Sequence, residues 1–485
     1  MSEAINGLKP EILWEKFAEV TGIPRPSKHE EKIAAHVVAT AQRLSLEVFR
    51  DAGGNVVVRK PASPGREQVA PICLQSHLDM VAEKNAEKVH DFLNDPIQLL
   101  RNGPYLTANG TTLGADNGIG VATSLAIMAS NDLEHGPLEF LFTLDEETGL
   151  TGAQNLDGSK IQSRILLNLD SEDEGVIFVG CAGGRDSLGR WEARRDAAGS
   201  GGVALLLSVK GLRGGHSGLD IDKGLGNAIK IANRAVRMLA GIGGRLARID
   251  GGNMRNAIPR ECEAVVVIPA DAVAQAKEMV SRLEKAVRNE LTPVDAGVTV
   301  TCAEADAPSD LAVLEPELQE KLCRAISAMP HGVLQMSRDI AGLVETSTNT
   351  AVIKTEASSI TLITSQRSSI GSRLDEAVES VVSIFELGGA QVETSHGYPG
   401  WKPDLDSPIL QQAKACYQSL FGKEPKVEAI HAGLECGIIG ERVPGMDMIS
   451  FGPTLEAVHS PDERIEIESV GKFWEFLKEI LRTAK

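Results

Sequence analysis

Apolar and polar positions follow two rhythms along this chain, and the changes between them mark out three regions. Ile12, Leu13, Phe17 and Val20 share one face of a helix predicted over 10–20, with Pro10 near its first turn. Pro24-Arg25-Pro26 ends it, and Ser27-Lys28-His29-Glu30 reads as a capping box opening a second helix to about position 44. Short strands over 46–50 and 55–59 flank Gly53-Gly54. Three apolar runs then follow, over 70–76, 138–144 and 164–169, with a small-residue helix over 118–129 between the first two. Each run ends in a polar group: His77, then Asp145-Glu146-Glu147, then Asp170. Alternating strands and helices imply an α/β domain with a mostly parallel central sheet, whose functional groups gather beyond the carboxyl ends of the strands.

The rhythm changes after about Gly184. A strand over 203–209, a Gly-rich loop around His216, a helix over 227–239, strands near 245–249 and 263–268, a helix over 273–289 and a strand over 298–302 give a β-α-β-β-α-β order. Part of that order recurs: helix 316–329, strands 350–354 and 359–365, helix 374–387, strand 391–394. Asn256-Ala257-Ile258-Pro259 and Asn349-Thr350-Ala351-Val352 sit at comparable places in the two halves. The expected organisation is therefore an α/β domain over 1–186 and 398–485, interrupted at 187–397 by an α+β lid of two ferredoxin-like halves. The final part adds a helix over 408–420, a strand over 447–451, a loop holding His459 and a closing helix over 467–483.

Composition narrows the class. A length of 485 residues implies more than one core, and 42% hydrophobic with 24% charged residues is ordinary for a globular protein. No apolar run approaches the roughly 18 residues of a membrane span, and residues 1–13 lack an apolar stretch behind a basic start. Seven scattered cysteines with no Cys-x-x-Cys suit reduced thiols in the cytoplasm rather than disulfides or a thiolate metal site. A formal charge of −18 disfavours nucleic acid and anionic membranes as partners, and makes a cationic centre easier to hold.

The candidates for chemistry are His77, Asp116, Glu147, Asp170 and His459. Imidazole with carboxylate and no thiolate suits catalytic zinc, with manganese or cobalt as substitutes. Two histidines and three carboxylates suffice for two ions if one carboxylate bridges them. Asp79, on the same strand face as His77, can take the second ring proton of that histidine. Of the pair Glu146-Glu147, one carboxylate can bind metal while the other acts as general base. Each group also has an ordinary reading: a hydrogen-bonded strand-end histidine, an Asp-Asn-Gly turn, a solvated Glu-Glu pair, an acidic loop. Their shared location after strands is what favours a metal site.

Ser76-His77-Leu78-Asp79, Gly114-Ala115-Asp116-Asn117-Gly118, Asp145-Glu146-Glu147-Thr148-Gly149, Leu169-Asp170 and His459 together resemble the co-catalytic dizinc peptidases that include carboxypeptidase G, aminoacylase and carnosinase. The stretches 112–120, 214–218 and 431–437 resemble the branch of that family that cleaves aminoacyl-histidine dipeptides. The resemblance implies two Zn2+ ions, with His77 and Asp170 on one, Glu147 and His459 on the other, and Asp116 between them. It implies Asp79 as orienter of His77, Glu146 as general base, His216 as oxyanion donor, and a cis Asp116–Asn117 peptide bond. Asn256 and Arg367 would hold substrate polar groups or its carboxylate, and His431 and Glu435 would line the pocket for the N-terminal side of the peptide. The implied activity is hydrolysis of dipeptides such as β-alanyl-histidine. A tripeptide aminopeptidase, an N-acyl amino-acid deacylase, a glutamate carboxypeptidase and a non-catalytic binding protein on the same fold are the alternatives. The implied partner is a small peptide, and a homodimer is compatible with a doubled lid.

Overall fold

The three apolar runs are strands, Ile72–His77, Leu138–Thr143 and Ile165–Asn168, and all but Ile165 among their residues are buried. In the computed structural model, which describes residues 3–198, 201–305 and 311–485, they pair in parallel, with the strand Asp447–Ser450 beside Ile165–Asn168. Burial on both faces explains why they read as continuous apolar runs rather than as alternations. Antiparallel strands extend this parallel centre: Val56–Lys60 and Glu47–Arg50 on one side, Val176–Cys181 on the other. The eight-stranded sheet is completed by Lys426–Ile430. The register sets His77 opposite Thr143 and Gln75 opposite Asn168, so the chemistry-bearing ends lie level.

Helix Ala115–Ala129 is buried along almost its whole length, and helix Glu11–Thr21 packs on it through a face that includes Leu13, Trp14 and Phe17. Helix Glu31–Arg43 has no side-chain cap. The expected capping box is not formed because its residues are used elsewhere. Ser27 Oγ donates to Asp79 Oδ2, and Glu30 Oε1 accepts from the backbone N–H of Lys28 and of Asp145. A buried carboxylate such as Asp79 needs donors more than an exposed helix end does.

Contacts divide the chain into two compact units: residues 1–181, 401–429 and 434–485 form one, and 182–400 with 430–433 the other. The second unit is α+β and is built on one antiparallel sheet. Its inner half has the strand order Thr299–Glu304, Gly202–Lys210, Cys262–Pro269, Arg245–Gly251, with helices Ala228–Ala240 and Val273–Leu291. That is the ferredoxin-like arrangement. The other half has it too, but its first strand is Gly183–Glu192, which precedes the inner half in sequence. Helix Pro316–Ala328, strands Val344–Thr355 and Ser359–Ser368, helix Gly371–Leu387 and strand Gln391–Thr394 complete it. The inner half is thus inserted into the outer one, and the two join where Gly251 pairs with Ile353. One apolar core beneath all four helices, including Leu207, Val236, Val266, Leu322 and Phe385, unites both halves.

Candidate metal centre and active site

Strand ends deliver most of the site in the first unit. His77 is the last residue of its strand, and Asp170 follows Ile165–Asn168 by two residues. Glu146 and Glu147 follow Asp145, whose φ of 50° puts it in the left-handed region that non-glycine residues rarely adopt. Asp116 lies at the start of helix Ala115–Ala129, and the Asp116–Asn117 peptide bond is cis, as the resemblance implied. His459 comes from a loop in which both it and Ala457 have φ near 60° (60° and 53°). Non-glycine residues in such conformations cluster where a function over-determines the backbone.

All five expected ligands converge. His77 Nε2 lies 3.1 Å from Asp116 Oδ1 and 3.3 Å from Asp170 Oδ1. His459 Nε2 lies 3.1 Å from Asp116 Oδ2 and 3.0 Å from Glu147 Oε2. The two oxygens of Asp116 therefore face different histidines, and each histidine has a further carboxylate of its own. Two donor groups of cation-binding size, His77–Asp116–Asp170 and Asp116–Glu147–His459, share Asp116, and His77, Glu146 and Glu147 form another beside them. Behind them Asp79 Oδ1 accepts from the N–H of Glu146 (3.0 Å), and Oδ2 from that of Glu147 (3.2 Å) and from Ser27 Oγ (2.8 Å).

The electrostatics show what the cluster needs. Burial, together with the charges of Asp170, Glu435 and Glu147, pushes Glu146 well above the usual carboxylate range, with His77 pulling the other way. Burial likewise raises Glu147 and Asp170. Glu172, a carboxylate the sequence left in an acidic loop, is raised to about 8 by burial and by Asp116 and Asp170. Burial opposes the charge of His77, but Asp170, Asp116 and Asp79 outweigh it and hold its pKa well above normal. Hydrogen bonds donated by His459 to the Asp116 and Glu147 carboxylates push its pKa up to about 11. Buried Glu147 Oε1 has no hydrogen-bond partner. Crowded carboxylates, imidazoles held among them and an orphaned oxygen fit divalent cations, which would neutralise the excess and accept these lone pairs.

The second unit gathers His216, Asn256, Arg367 and His431. His216 pairs with Ala257 in a short ladder, and the Asn256 carbonyl accepts from Ser217 N–H at 2.8 Å. His216 Nδ1 accepts from the N–H groups of Gly218 (3.2 Å) and Leu219 (3.1 Å), which leaves Nε2 as the protonated, donating nitrogen. Burial and the charge of Arg367 lower its pKa, so the neutral form is favoured. Arg367 donates from Nε to Ser217 Oγ and from Nη1 to Tyr398 Oη, at 3.3 and 3.1 Å. His431 Nε2 is 2.7 Å from Ser347 Oγ, and burial with Arg367 and His216 pushes it down to about 3.

Glu435 is not with this group. It belongs to the first unit, is 0% exposed, and its Oε2 accepts from Gln75 Nε2 (2.6 Å) and Thr143 Oγ1 (2.7 Å). Beneath the strand ends it continues a buried polar row, since Asn168 Nδ2 donates to Gln75 Oε1 and Ser450 Oγ to Asn168 Oδ1, each at 2.5 Å. Its place is therefore beneath the strand ends that carry His77 and Asp170.

With this geometry in hand, the likeness to known proteins is specific. Residues 73–483 match peptidase family M20/M25/M40. The chain belongs to that family. The cytosol non-specific dipeptidase of Escherichia coli (strain K12) is 43% identical over 486 residues, covering 99% of both chains. The crystal structure of aminoacylhistidine dipeptidase from Vibrio alginolyticus superposes with a TM-score of 0.92 at 42% identity, covering 99% of this chain and 98% of that one. An aminopeptidase from Bacillus cereus shares the fold, with a TM-score of 0.56, 18% identity and 98% of each chain covered. Among the described residues of this M20 peptidase no helix is long and apolar enough to cross a membrane.

Sequence reasoning missed several parts of the M20 site. Arg25 was read only as part of a helix break, yet it is 0% exposed and binds the loop carrying Asp116. Glu463 drew no notice, although a carboxylate four residues past His459 in one loop is a usable signal. Gln75 and Asn168 were visible as single polar residues inside apolar strands, each two positions before an expected ligand.

Proposed function

We propose that this M20 chain is a cytosolic dizinc dipeptidase that hydrolyses Xaa-His and other short dipeptides. The observation that carries the reading is the bidentate placement of Asp116, one oxygen toward His77 and the other toward His459. His77 and Asp170 would hold one zinc, Glu147 and His459 the other, and Asp116 both. When bound, the ions supply Lewis acidity, polarising the scissile carbonyl and acidifying water. Glu146 takes the proton of the attacking water and returns it to the departing amine nitrogen. Asp79 keeps His77 oriented and, through the N–H groups of Glu146 and Glu147, fixes the turn that presents them. His216, with Nε2–H free to donate, is assigned to the developing oxyanion, and Arg367 to the peptide carboxylate. Asn256 is assigned to substrate polar groups.

The test is elemental analysis of the purified chain together with release of histidine from β-alanyl-histidine, before and after a chelator. About two metal ions per chain and activity that is lost with the metal and restored by Zn2+ are expected. Chelator-insensitive turnover, or none on any dipeptide, would remove the reading. Faster hydrolysis of an N-acetyl amino acid or a tripeptide would reassign the substrate and leave the metal chemistry in place.

A further inference from the structure

Glu463 is 2% exposed, and its carboxylate accepts four consecutive backbone N–H groups. Oε2 takes those of Leu113 (2.7 Å) and Gly114 (2.9 Å), and Oε1 those of Ala115 (2.8 Å) and Asp116 (3.3 Å). These amides lie ahead of the regular turns of helix Ala115–Ala129, since Asp116 and Asn117 have non-helical backbone angles, and their N–H groups need an acceptor from outside the helix. On the carbonyl side of the same loop stands Arg25, 0% exposed. It donates from Nη1 to the carbonyls of Leu78 (3.0 Å) and Asp79 (2.6 Å), and from Nη2 to that of Gly114. Gly114 has φ 67°, and a Cβ there would come within 2.8 Å of both Arg25 Nη2 and Met80 Sδ. Two buried charges thus close on one turn of chain.

Glu463 also belongs to the loop of His459. Its N–H donates to the Ser460 carbonyl at 3.1 Å, and its own carbonyl accepts from Thr107 Oγ1 at 3.0 Å. A single side chain therefore joins the segment presenting Asp116 to the segment presenting His459, though 347 positions separate Asp116 from Glu463. Nothing else described between these two loops does so through the backbone of both.

We propose that Glu463 is the positioning residue of the bridging carboxylate: it sets the loop 113–116 before any cation arrives, and fixes the spacing of Asp116 from His459. The inference rests on the two-metal reading above and adds to it the group that preorganises the shared ligand. An ordinary stabilising role makes a different prediction, namely lower thermal stability with cation binding unchanged.

The substitution Glu463→Gln keeps the volume but turns one acceptor into an NH2 that faces two N–H donors. Stepwise Zn2+ titration of the metal-free protein should show the second ion bound about 10- to 100-fold more weakly in this variant, with a smaller change for the first. Equal binding of both ions by variant and wild type would overturn the proposal. Should the variant fail to fold, amide hydrogen exchange of the wild type decides. The amides of Leu113 to Asp116 should be protected to the same degree in metal-free and Zn2+-loaded protein. Rapid exchange until Zn2+ is added would show that the cation, not Glu463, orders the loop. A wild-type chain that binds no Zn2+ would sink the two-metal reading itself, while the exchange measurement still reports on the clamp.

Discussion

Asp79 Oδ1 lies 3.2 Å from Nδ1 of His77, and both side chains are closed to solvent at 0% and 1% exposure. On the proposed reading this carboxylate holds Nδ1 of His77, while Nε2 faces Asp116 and Asp170. Replacing Asp79 by Ala should weaken cation binding about 10- to 100-fold, as losing the partner of a ligating histidine generally does. It also strips the N–H groups of Glu146 and Glu147 of their acceptor, so turnover should fall further than metal content alone explains. Metal titration beside turnover at saturating Zn2+ separates the two effects.

Glu146 lies outside the two donor triads that share Asp116, though it stands within reach of His77 and Glu147, and the proposed role for it is proton transfer. For Glu146→Ala the expected outcome is a metal content equal to wild type with turnover lower by about 10²- to 10⁴-fold. Turnover within a few-fold of wild type would remove Glu146 as the proton carrier.

Gly120 is a packing constraint on the site. A Cβ at this position would collide with Asn117 Oδ1 and come within 3.0 Å of the Leu169 carbonyl. Asn117 Nδ2 donates to that same carbonyl at 3.1 Å and to Asp170 Oδ1, so the displaced group is tied to a ligand. Gly120→Ala should cost about 1–3 kcal/mol by overpacking, read as a lower melting temperature. The same variant should bind the cation of Asp170 less tightly, which an ordinary core substitution would leave alone.

How legible this was varied with distance along the chain. His77, Glu146, Glu147 and Asp170 were readable because an apolar run shows where a strand ends, and each stands at such an end. Asp116 and His459 were not readable in that way, since an Asp-Asn-Gly turn and a lone loop histidine have no periodicity; they stood as candidates on residue type, and the resemblance assigned their roles. Arg25 does stand in the helix break, but nothing local announces its bonds to the carbonyls of Asp79 and Gly114, and Ser27 misled because the tertiary demand of Asp79 prevailed over a cap. Glu435 was invisible as a buried group, for nothing in its neighbours announces that Gln75 and Thr143 will meet it.

Acid should loosen the second unit by a route independent of metal. Burial, with the charge of Lys230, lowers His331 from 6.5 to about 4, and its Nδ1 stands 3.3 Å from Asn227 Nδ2. That nitrogen accepts only while unprotonated. The folded pKa is below the unfolded one, so between pH 6.5 and about 4 the unfolded chain takes up a proton that the folded chain refuses. The stability tied to neutral His331 is thus complete above pH 6.5 and lost as pH falls through about 4. His331→Gln should flatten the fall of melting temperature across that window; an unchanged acid limb would exclude His331 as a source.

The nesting of the two ferredoxin-like halves has a consequence for synthesis. Strand Gly183–Glu192 leaves the ribosome before its partner Ser359–Ser368 exists, and the entire inner half is made in the interval. Closing that long loop carries an entropy cost the inner half does not share, because its own strands pair over far shorter separations. The inner half is therefore expected to acquire exchange protection first, with its neighbour strand waiting unpaired for the chain to return. Pulsed hydrogen exchange during refolding would read the order directly, and simultaneous protection of Gly202–Lys210 and Gly183–Glu192 would argue instead that the sheet closes as one.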